Sequence, residues 1–500
     1  MIATAAFGAN LLLGFGAFRK KPAIFIFLAL LSTALFFVMP SSYFLIYSAM
    51  LLSLTLGLPL FVLIGLIVLI CFMSIAQGYE SIDSMTFLVR KVQEIGNKEV
   101  LLAIPFFIIA GEIMTEGSLA KQLISVAKVG FGWLPGGLAV AGVFGCIFFA
   151  AISGSSPVTV IAIGSIMVPA LVKANYKENF SIGLLTTAGS LGILIPPSIP
   201  MIIYALMVGS ISPIDPTDLF LAGIGPGLLI GSLLSAYAIY VGIRDKHPVE
   251  KFSAKKLLKA CYQSIWSLLL PVIILGGIYS GAFTPTEGAA VCVVYALVVE
   301  MFIHRSLSPA NLIVIAERSM VMMGTLFLIM ALALGLNHFF VLEQIPDMIV
   351  EGIKGLNLSR FEFLLCINLF LLMVGAIMDI ISAILILAPM LAPMAVAMGI
   401  DPLHMGIIFI VNLEIGYLTP PVGLNLFVAS TLFKKGLGDI IKATLPTLAI
   451  MFLGLGLITW IPNISLAPVH FVMKNKISKQ NNISEKRVKT LQELMRQSKH

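Results

Sequence analysis

The chain has 500 residues, of which 59% are hydrophobic and 11% charged, with a mean hydropathy of +1.05; a soluble domain carries about 25% charged residues, so a soluble fold is excluded. Repeated apolar runs of about 20 residues, in place of short alternating ones, exclude an outer-membrane barrel and leave an all-α polytopic membrane protein in a lipid bilayer. The net charge of +7 lies in loops and in the C-terminal stretch, where it reports topology and not nucleic acid binding.

In chain order, the first charges are Arg19, Lys20 and Lys21, after an apolar stretch, so the start lacks the pattern of a cleaved signal peptide. Residues 1–41 read as one or two extra membrane segments: 2–18 is Gly- and Ala-rich, and 23–39 is a firm transmembrane helix ending at Pro40. Residues 43–77 form one long apolar element, followed by a charged, cytoplasmic stretch from Glu80 to Glu99. Leu101 to Met114 carries Pro105 and Glu112, and Gly117 to Trp133, with Lys121 and Lys128, looks interfacial.

From Gly136 to Val172 an apolar stretch is broken by Ser153, Gly154, Ser155, Ser156 and Pro157. Arms of roughly 15 to 17 residues are short for a full span at about 1.5 Å per residue, so the spacing predicts a re-entrant hairpin with its tip in the membrane. Helices follow at about 219–243, 265–283 and 286–303, around a loop from Arg244 to Lys259 with six basic and two acidic residues, which predicts a cytoplasmic loop. A last helix over about 442–462 closes the main body. The remainder, 463–500, reads as a basic cytoplasmic tail.

The strongest internal signal is a repeat. Gly192, Leu194, Pro196, Pro197 and Ala205 recur as Gly416, Leu418, Pro420, Pro421 and Ala429, a constant shift of 224, and Pro169 recurs as Pro393. The repeat halves are about 100–210 and 320–430, and the first hairpin tip falls on Met378-Asp379-Ile380 in the second half. A proline pair has no N–H groups, so in a helix the carbonyls of Gly192, Ile193, Gly416 and Tyr417 would lose their partners. Such carbonyls are tolerated in a bilayer only where protein, water or an ion takes them up. Two interrupted segments at matching places in two halves point to the central site of a secondary transporter, with sodium on unwound carbonyls and half-helix N-termini facing an anion. The alternative is a pair of merely kinked helices.

Carboxylates at membrane depth are functional candidates by default. Asp379 at the second tip suits a sodium ligand, a residue that orders the backbone, or an N-cap. Glu414, two residues before Gly416, suits either the site or a buried hydrogen bond to a neighbouring helix; Glu112 and Glu287 stand behind these two. Asn412 and Asn425 offer amide oxygens or inter-helix hydrogen bonds. Ser153, Ser155, Ser156, Thr159, Ser198 and Thr419 supply the neutral oxygens that a hard cation takes. A serine nucleophile at Ser155 lacks a nearby base and a strand-to-helix elbow. The five cysteines and six histidines show no metal or redox spacing.

The stretches Ile104 to Glu112, Ile152 to Ser155, Gly276 to Glu287 and Asn412 to Phe427 resemble the large membrane subunit of TRAP (tripartite ATP-independent periplasmic) transporters, in the ion-transporter superfamily, over about residues 42–462. The resemblance implies two inverted repeats with re-entrant hairpins and broken helices in an elevator-type sodium symporter, not an enzyme. It implies as partners a small four-helix membrane subunit, on a separate chain, and a periplasmic binding protein that delivers an organic acid, in the bacterial inner membrane. It places sodium near Ser155 with Gly189 and Gly192, and near Asp379 with Gly416 and Thr419; Pro196 and Pro420 mark the facing breaks. The competing readings are a stand-alone sodium/dicarboxylate symporter and a membrane scaffold that transports nothing.

Overall fold

Helix boundaries follow the caps and breakers that the sequence supplies. The computed structural model describes residues 99–472, apart from 210–211, 250 and 356–357, together with 62, 64–69 and 93. The segment 1–41, most of 43–98 and the tail beyond 472 lie outside the described residues.

All described elements are helices. The first half runs α1 (Glu99–Glu116), α2 (Leu119–Phe131), α3 (Gly137–Ser153), α4 (Ser156–Lys173), α5 (Glu178–Ser190), a 3-10 turn (Leu191–Ile193), α6 (Ile199–Val208) and α7 (Pro216–Arg244). Then come α8 (Ala254–Gln263), α9 (Ile265–Ser280) and α10 (Pro285–Val298), which ends in a π turn, Val299–Ile303. The second half is α11 (Pro309–Leu342), α12 (Ile345–Gly355), α13 (Arg360–Ile377), α14 (Ile380–Ala397), α15 (Pro402–Gly416), α16 (Leu424–Phe433) and α17 (Leu437–Trp460). The chain goes on as a short helix, Asn463–Val472, which lies on α7 where Gly225 meets the Ile464 carbonyl.

Several starts are written locally. Asp215 caps α7 by accepting from Thr217 N at 2.8 Å, and Asp401 caps α15 by accepting from Leu403 N at 2.8 Å. Thr284, Ser308 and Ser359 open α10, α11 and α13 with capping boxes, each satisfying donors that a helix start leaves unpaired. Among the described residues, seven helices are long and apolar enough to cross a bilayer, or up to nine if each of two bent pairs is one span: α1 with α2 at 70° and α8 with α9 at 74°.

The 224-residue shift relates five consecutive helices of the first half to five of the second. Moved by 224, α4 falls on α14 residue for residue, and α2, α3, α5 and α6 fall on α12, α13, α15 and α16 within a residue or two. Packing is reciprocal across the halves: α6 lies on α14 while its counterpart α16 lies on α4, and α5 lies on α17 while α15 lies on α7. An exchange of partners of this kind is what a two-fold relation between the halves produces.

The hairpin arms are longer than the sequence suggests, 17 and 18 residues for α3 and α4 and 18 each for α13 and α14. At about 1.5 Å per residue that is close to a bilayer core, so length does not distinguish a hairpin from two crossings. The first tip is closed over by protein: Ser153, Ser156 and Thr159 are at most 2% exposed, enclosed by the broken helices.

Candidate functional site

The first tip is built on a glycine. Gly154 ends α3 at φ 57°, where its N–H reaches the Ala150 carbonyl, and the extended Ser155 then aims the chain into α4. A Cβ on Gly154 would come within 3.0 Å of the Pro197 carbonyl oxygen, so the tip sits directly on the first break. Ser153 Oγ lies 3.1 Å from Thr159 Oγ1, which donates to the Ser155 carbonyl at 2.8 Å. Gly192 closes this cluster, for a Cβ there would lie 2.9 Å from both Ser155 O and Thr159 Oγ1. Gly189 admits Val160 in the same way, with 2.4 Å to its side chain. Sequence expectation and geometry thus bring Ser153, Gly154, Ser155, Gly189 and Gly192 together, with Pro196 buried behind them.

The second tip repeats the plan with a carboxylate. Asp379 is the N-cap of α14, accepting from Ser382 N at 2.9 Å, which realises the capping role among those its position suggests. Gly416 crosses the second hairpin so closely that a Cβ would stand 2.3 Å from the carbonyl carbon of Gly375. Val422 N donates to Ala376 O at 3.0 Å, and Ile380 N donates to Tyr417 Oη at 3.0 Å, stitching break to tip. Asn425 joins the two halves by donating to Ser156 Oγ at 2.6 Å.

The four carbonyls that the proline pairs release are not all free. Ser198 Oγ donates to Ile193 O, Thr419 N donates to Gly416 O at 3.0 Å, and Asn425 N donates to Tyr417 O at 3.1 Å. The chain leaves the helix at each pair and caps itself, so among the described residues the Gly192 carbonyl alone of the four lacks a protein donor. The Thr419 hydroxyl is also engaged, donating to Ile415 O at 2.8 Å. The two breaks differ in setting: Pro196 is buried and Pro420 is exposed.

Between the tips lies a cavity of about 220 Å³. Ser153 to Val158 and Asp379 to Ile381 line it from the tips, Ile199 and Leu424 from the breaks, and Glu112 and Met322 from α1 and α11. Four helices therefore begin at its wall: α4, α6, α14 and α16. Each N-terminus carries about half a positive charge, whereas among the described residues no Lys, Arg or His side chain lines the space. The ionisable groups there are Glu112, Asp379 and Tyr417. Among the described residues no three His, Cys, Asp or Glu converge; the donors at the tips are hydroxyls, carbonyls and one carboxylate, which suit a hard cation.

Other candidates stand back from the cavity. Asn412 is buried and donates to Asn368 Oδ1 and to Ile408 O, both at 2.7 Å, an inter-helix role. Glu414 is fully buried with Oε1 2.9 Å from Ser190 Oγ. Glu287 is exposed and serves the capping box of α10, accepting from Thr284 N at 2.8 Å. Ser382 Oγ, Asn412 Oδ1, Glu414 Oε2 and Asn425 Oδ1 are buried without a hydrogen-bond partner among the described residues, so the polar seam around the tips retains acceptor capacity.

Sequence reasoning missed three residues. Glu300, fully buried in the π turn, accepts from Ser118 N and Leu119 N, both at 2.7 Å, and so caps α2 from another helix at the α1–α2 bend. A lone carboxylate inside an apolar run was its signal. Ser190 is the partner of Glu414 and lies 224 residues before it, readable from the repeat. Asn368 carried no signal beyond its amide.

The sequence matches the family described as "Tripartite ATP-independent periplasmic transporter, DctM component" over residues 47–464. It is 45% identical over 388 residues to the C4-dicarboxylate TRAP transporter large permease protein DctM of Pseudomonas aeruginosa, covering 77% of this chain and 90% of that one. It is 40% identical over 369 residues to the isethionate TRAP transporter permease protein DctMQ of Oleidesulfovibrio alaskensis, covering 73% of this chain and 57% of that one. In fold it is similar to the crystal structure of the YdaH transporter of Alcanivorax borkumensis, at a TM-score of 0.59 and 16% identity over 83% of this chain and 98% of that one. A central cavity framed by paired tips and breaks, in a chain alike to such permeases over most of its length, identifies a member of the DctM family: the large permease component of a TRAP transporter.

Proposed function

We propose that this permease is the membrane core of a sodium-coupled secondary transporter that imports an organic acid, a C4-dicarboxylate or another carboxylate, delivered by a periplasmic binding protein. The convergence of four helix N-termini on one cavity carries this reading. Together they offer on the order of two positive charges, which suits a dicarboxylate, while backbone N–H groups at helix starts are ready anion donors. Glu112 and Asp379 oppose that anion, and a bound cation is the natural counterweight to these two carboxylates. Sodium at the tips, near Ser155 with Gly192 and near Asp379 with Gly416 and Thr419, would lower the cost of anion entry and so couple the two. The carboxylate class rests on the cavity's charge and on similarity to a C4-dicarboxylate permease.

In this proposal the tips and breaks move as one body against a frame that includes α1 and α10, an elevator motion of inverted halves in the bacterial inner membrane. A separate small membrane subunit would complete the frame. Reconstitution in liposomes tests the proposal: C4-dicarboxylate should accumulate only with an inward sodium gradient and with the binding protein and small subunit present. Uptake by the permease alone would identify a stand-alone symporter, and no uptake of any acid under any gradient would identify a scaffold.

A further inference from the structure

A second cavity, of about 180 Å³, lies away from the hairpin tips, among the start of α5, the end of α7 and the start of α17. Its floor is apolar and closed. Val241 and Ala443 there are buried, and α5 crosses α17 so closely that a Cβ on Gly183 would run into the Ala443 carbonyl oxygen. The Thr187 and Thr447 hydroxyls, 2.7 Å apart, hold the crossing shut. The rim, in contrast, is basic: Lys177, Arg244 and Lys442 line it, with Asp245 as the one acid among the described residues. Asp245 is committed to Arg244, accepting from Nε at 2.9 Å and from Nη2 at 3.3 Å, and stands 3.9 Å from Lys177 Nζ. Lys442 enters no ion pair among the described residues. Three cations around one small space repel one another, and a single carboxylate leaves room for a further anion.

Local helix chemistry does not account for Lys177. It is the N-cap of α5 and makes no side-chain cap, at a position that favours Asp, Asn or Ser. At the 224-residue shift it falls on Asp401, which caps α15 by accepting from two N–H groups. The first half thus gives up a cap where the second keeps one, and such a departure from the local rule marks a functional place.

The surroundings of the rim select the kind of anion. From Lys442 a stripe runs along α17 through Leu445, Pro446, Ala449, Phe452 and Leu453, spaced to share one helix face and all exposed. Because α17 is a membrane-spanning helix, that stripe faces acyl chains. A basic end with an apolar track leading from it fits an amphiphile better than free phosphate. The rim also stands where α7 enters the loop from Arg244 to Lys259, whose six basic and two acidic residues point to the cytoplasmic side. Anionic lipids lie in that leaflet, and basic pockets between helices take their headgroups.

We infer that this cavity binds the phosphate of an anionic phospholipid of the cytoplasmic leaflet, held by Lys177, Arg244 and Lys442, with an acyl chain along α17. The site is separate from the tips and does not depend on sodium coupling.

Native mass spectrometry of the purified full-length protein tests this, with phosphatidylglycerol, phosphatidylcholine and inorganic phosphate as probes. Wild type should retain one phosphatidylglycerol in preference to phosphatidylcholine, and Lys177→Gln with Lys442→Gln should weaken that preference by roughly 10- to 30-fold. Lys255→Gln with Lys259→Gln removes the same charge from the exposed face of α8 and should leave the preference unchanged. Thermal midpoints in nanodiscs give a second reading: phosphatidylglycerol in place of phosphatidylcholine should raise the wild-type midpoint and not that of the cavity variant. In phosphatidylcholine the two midpoints should agree, because both lysines are exposed. If the double variant does not fold, Lys442→Gln alone decides by the same comparison. A rise produced equally by inorganic phosphate in phosphatidylcholine nanodiscs would overturn the lipid assignment. Equal lipid preference in wild type and the cavity variant, or an equal loss in both double variants, would overturn the site.

Discussion

Replacing Gly416 with alanine tests how tightly the second break must lie on the second hairpin. The added Cβ would stand 2.3 Å from the Gly375 carbonyl carbon and 2.5 Å from its Cα, while ordinary contact begins at 3.4 Å. The obstacle is backbone, which cannot swing aside, so the seam must open by about 1 Å. Overpacking of this kind costs about 1–3 kcal/mol. The opening also strains the Val422 N to Ala376 O bond of 3.0 Å and the Ile380 N to Tyr417 Oη bond of 3.0 Å, which set the tip that carries Asp379. Misplacing a binding group by about 1 Å can cost on the order of 100-fold in activity, so sodium-driven uptake should fall far more than stability does. Gly438→Ala on α17 is the control: nothing lies within 4 Å of its Cβ, and alanine should there be neutral or stabilising by up to about 1 kcal/mol. Thermal midpoint and liposome uptake measured on both variants decide the matter. Gly416→Ala with wild-type midpoint and sodium dependence would refute the close crossing.

Replacing Pro420 and Pro421 together with alanine restores two N–H donors and lets α15 run on; removing interior helix prolines favours the helix by roughly 3 kcal/mol. Stability should hold, while uptake collapses as Val422 and Asn425 lose their places; retained uptake with normal sodium dependence would mean that the breaks are simple kinks. Glu300→Ala leaves the Ser118 and Leu119 N–H groups without their acceptor and should destabilise by about 2–4 kcal/mol, with Glu300→Gln recovering part; equal midpoints for all three proteins would remove its role at the α1–α2 bend. Ser253 caps α8 by accepting from Lys256 N at 3.4 Å, in the loop of six basic and two acidic residues. In a cysteine-free background Ser253→Cys should resist impermeant thiol reagents added to intact cells, and labelling from outside would reverse the orientation.

What the sequence made legible is what backbone chemistry writes locally. Proline pairs cannot sit inside a helix wherever they are, so both breaks and the 224-residue spacing stood out. Ser153 to Ser156 could be read as a tip because Gly and Pro interrupt an apolar run, and Asp379 as a cap because its carboxylate precedes one. The roles that depend on a distant partner were not legible. Glu300 caps a helix that starts 181 residues earlier, and Ser190 acquires meaning only once α15 lies beside it. The carbonyl argument was half right for the same reason: prolines remove donors locally, but Thr419 just before the second pair and Asn425 beyond it supply replacements. Arm length misled because the helices run to within a residue of each tip.

The central claim, that sodium binds at the tips, is tested most directly by the thermal midpoint of the purified permease in sodium against potassium chloride. A ligand that binds only the folded state stabilises it by about 2.7 kcal/mol at 100 times its dissociation constant, so the midpoint should rise with sodium and not with potassium. Asp379→Ala, which removes both charge and cap, should abolish the rise, whereas Asp379→Asn, which keeps a cap on Ser382 N, should restore the basal midpoint without restoring the sodium response. An equal response to both salts, or a full sodium response in Asp379→Ala, would contradict a sodium site at the second tip.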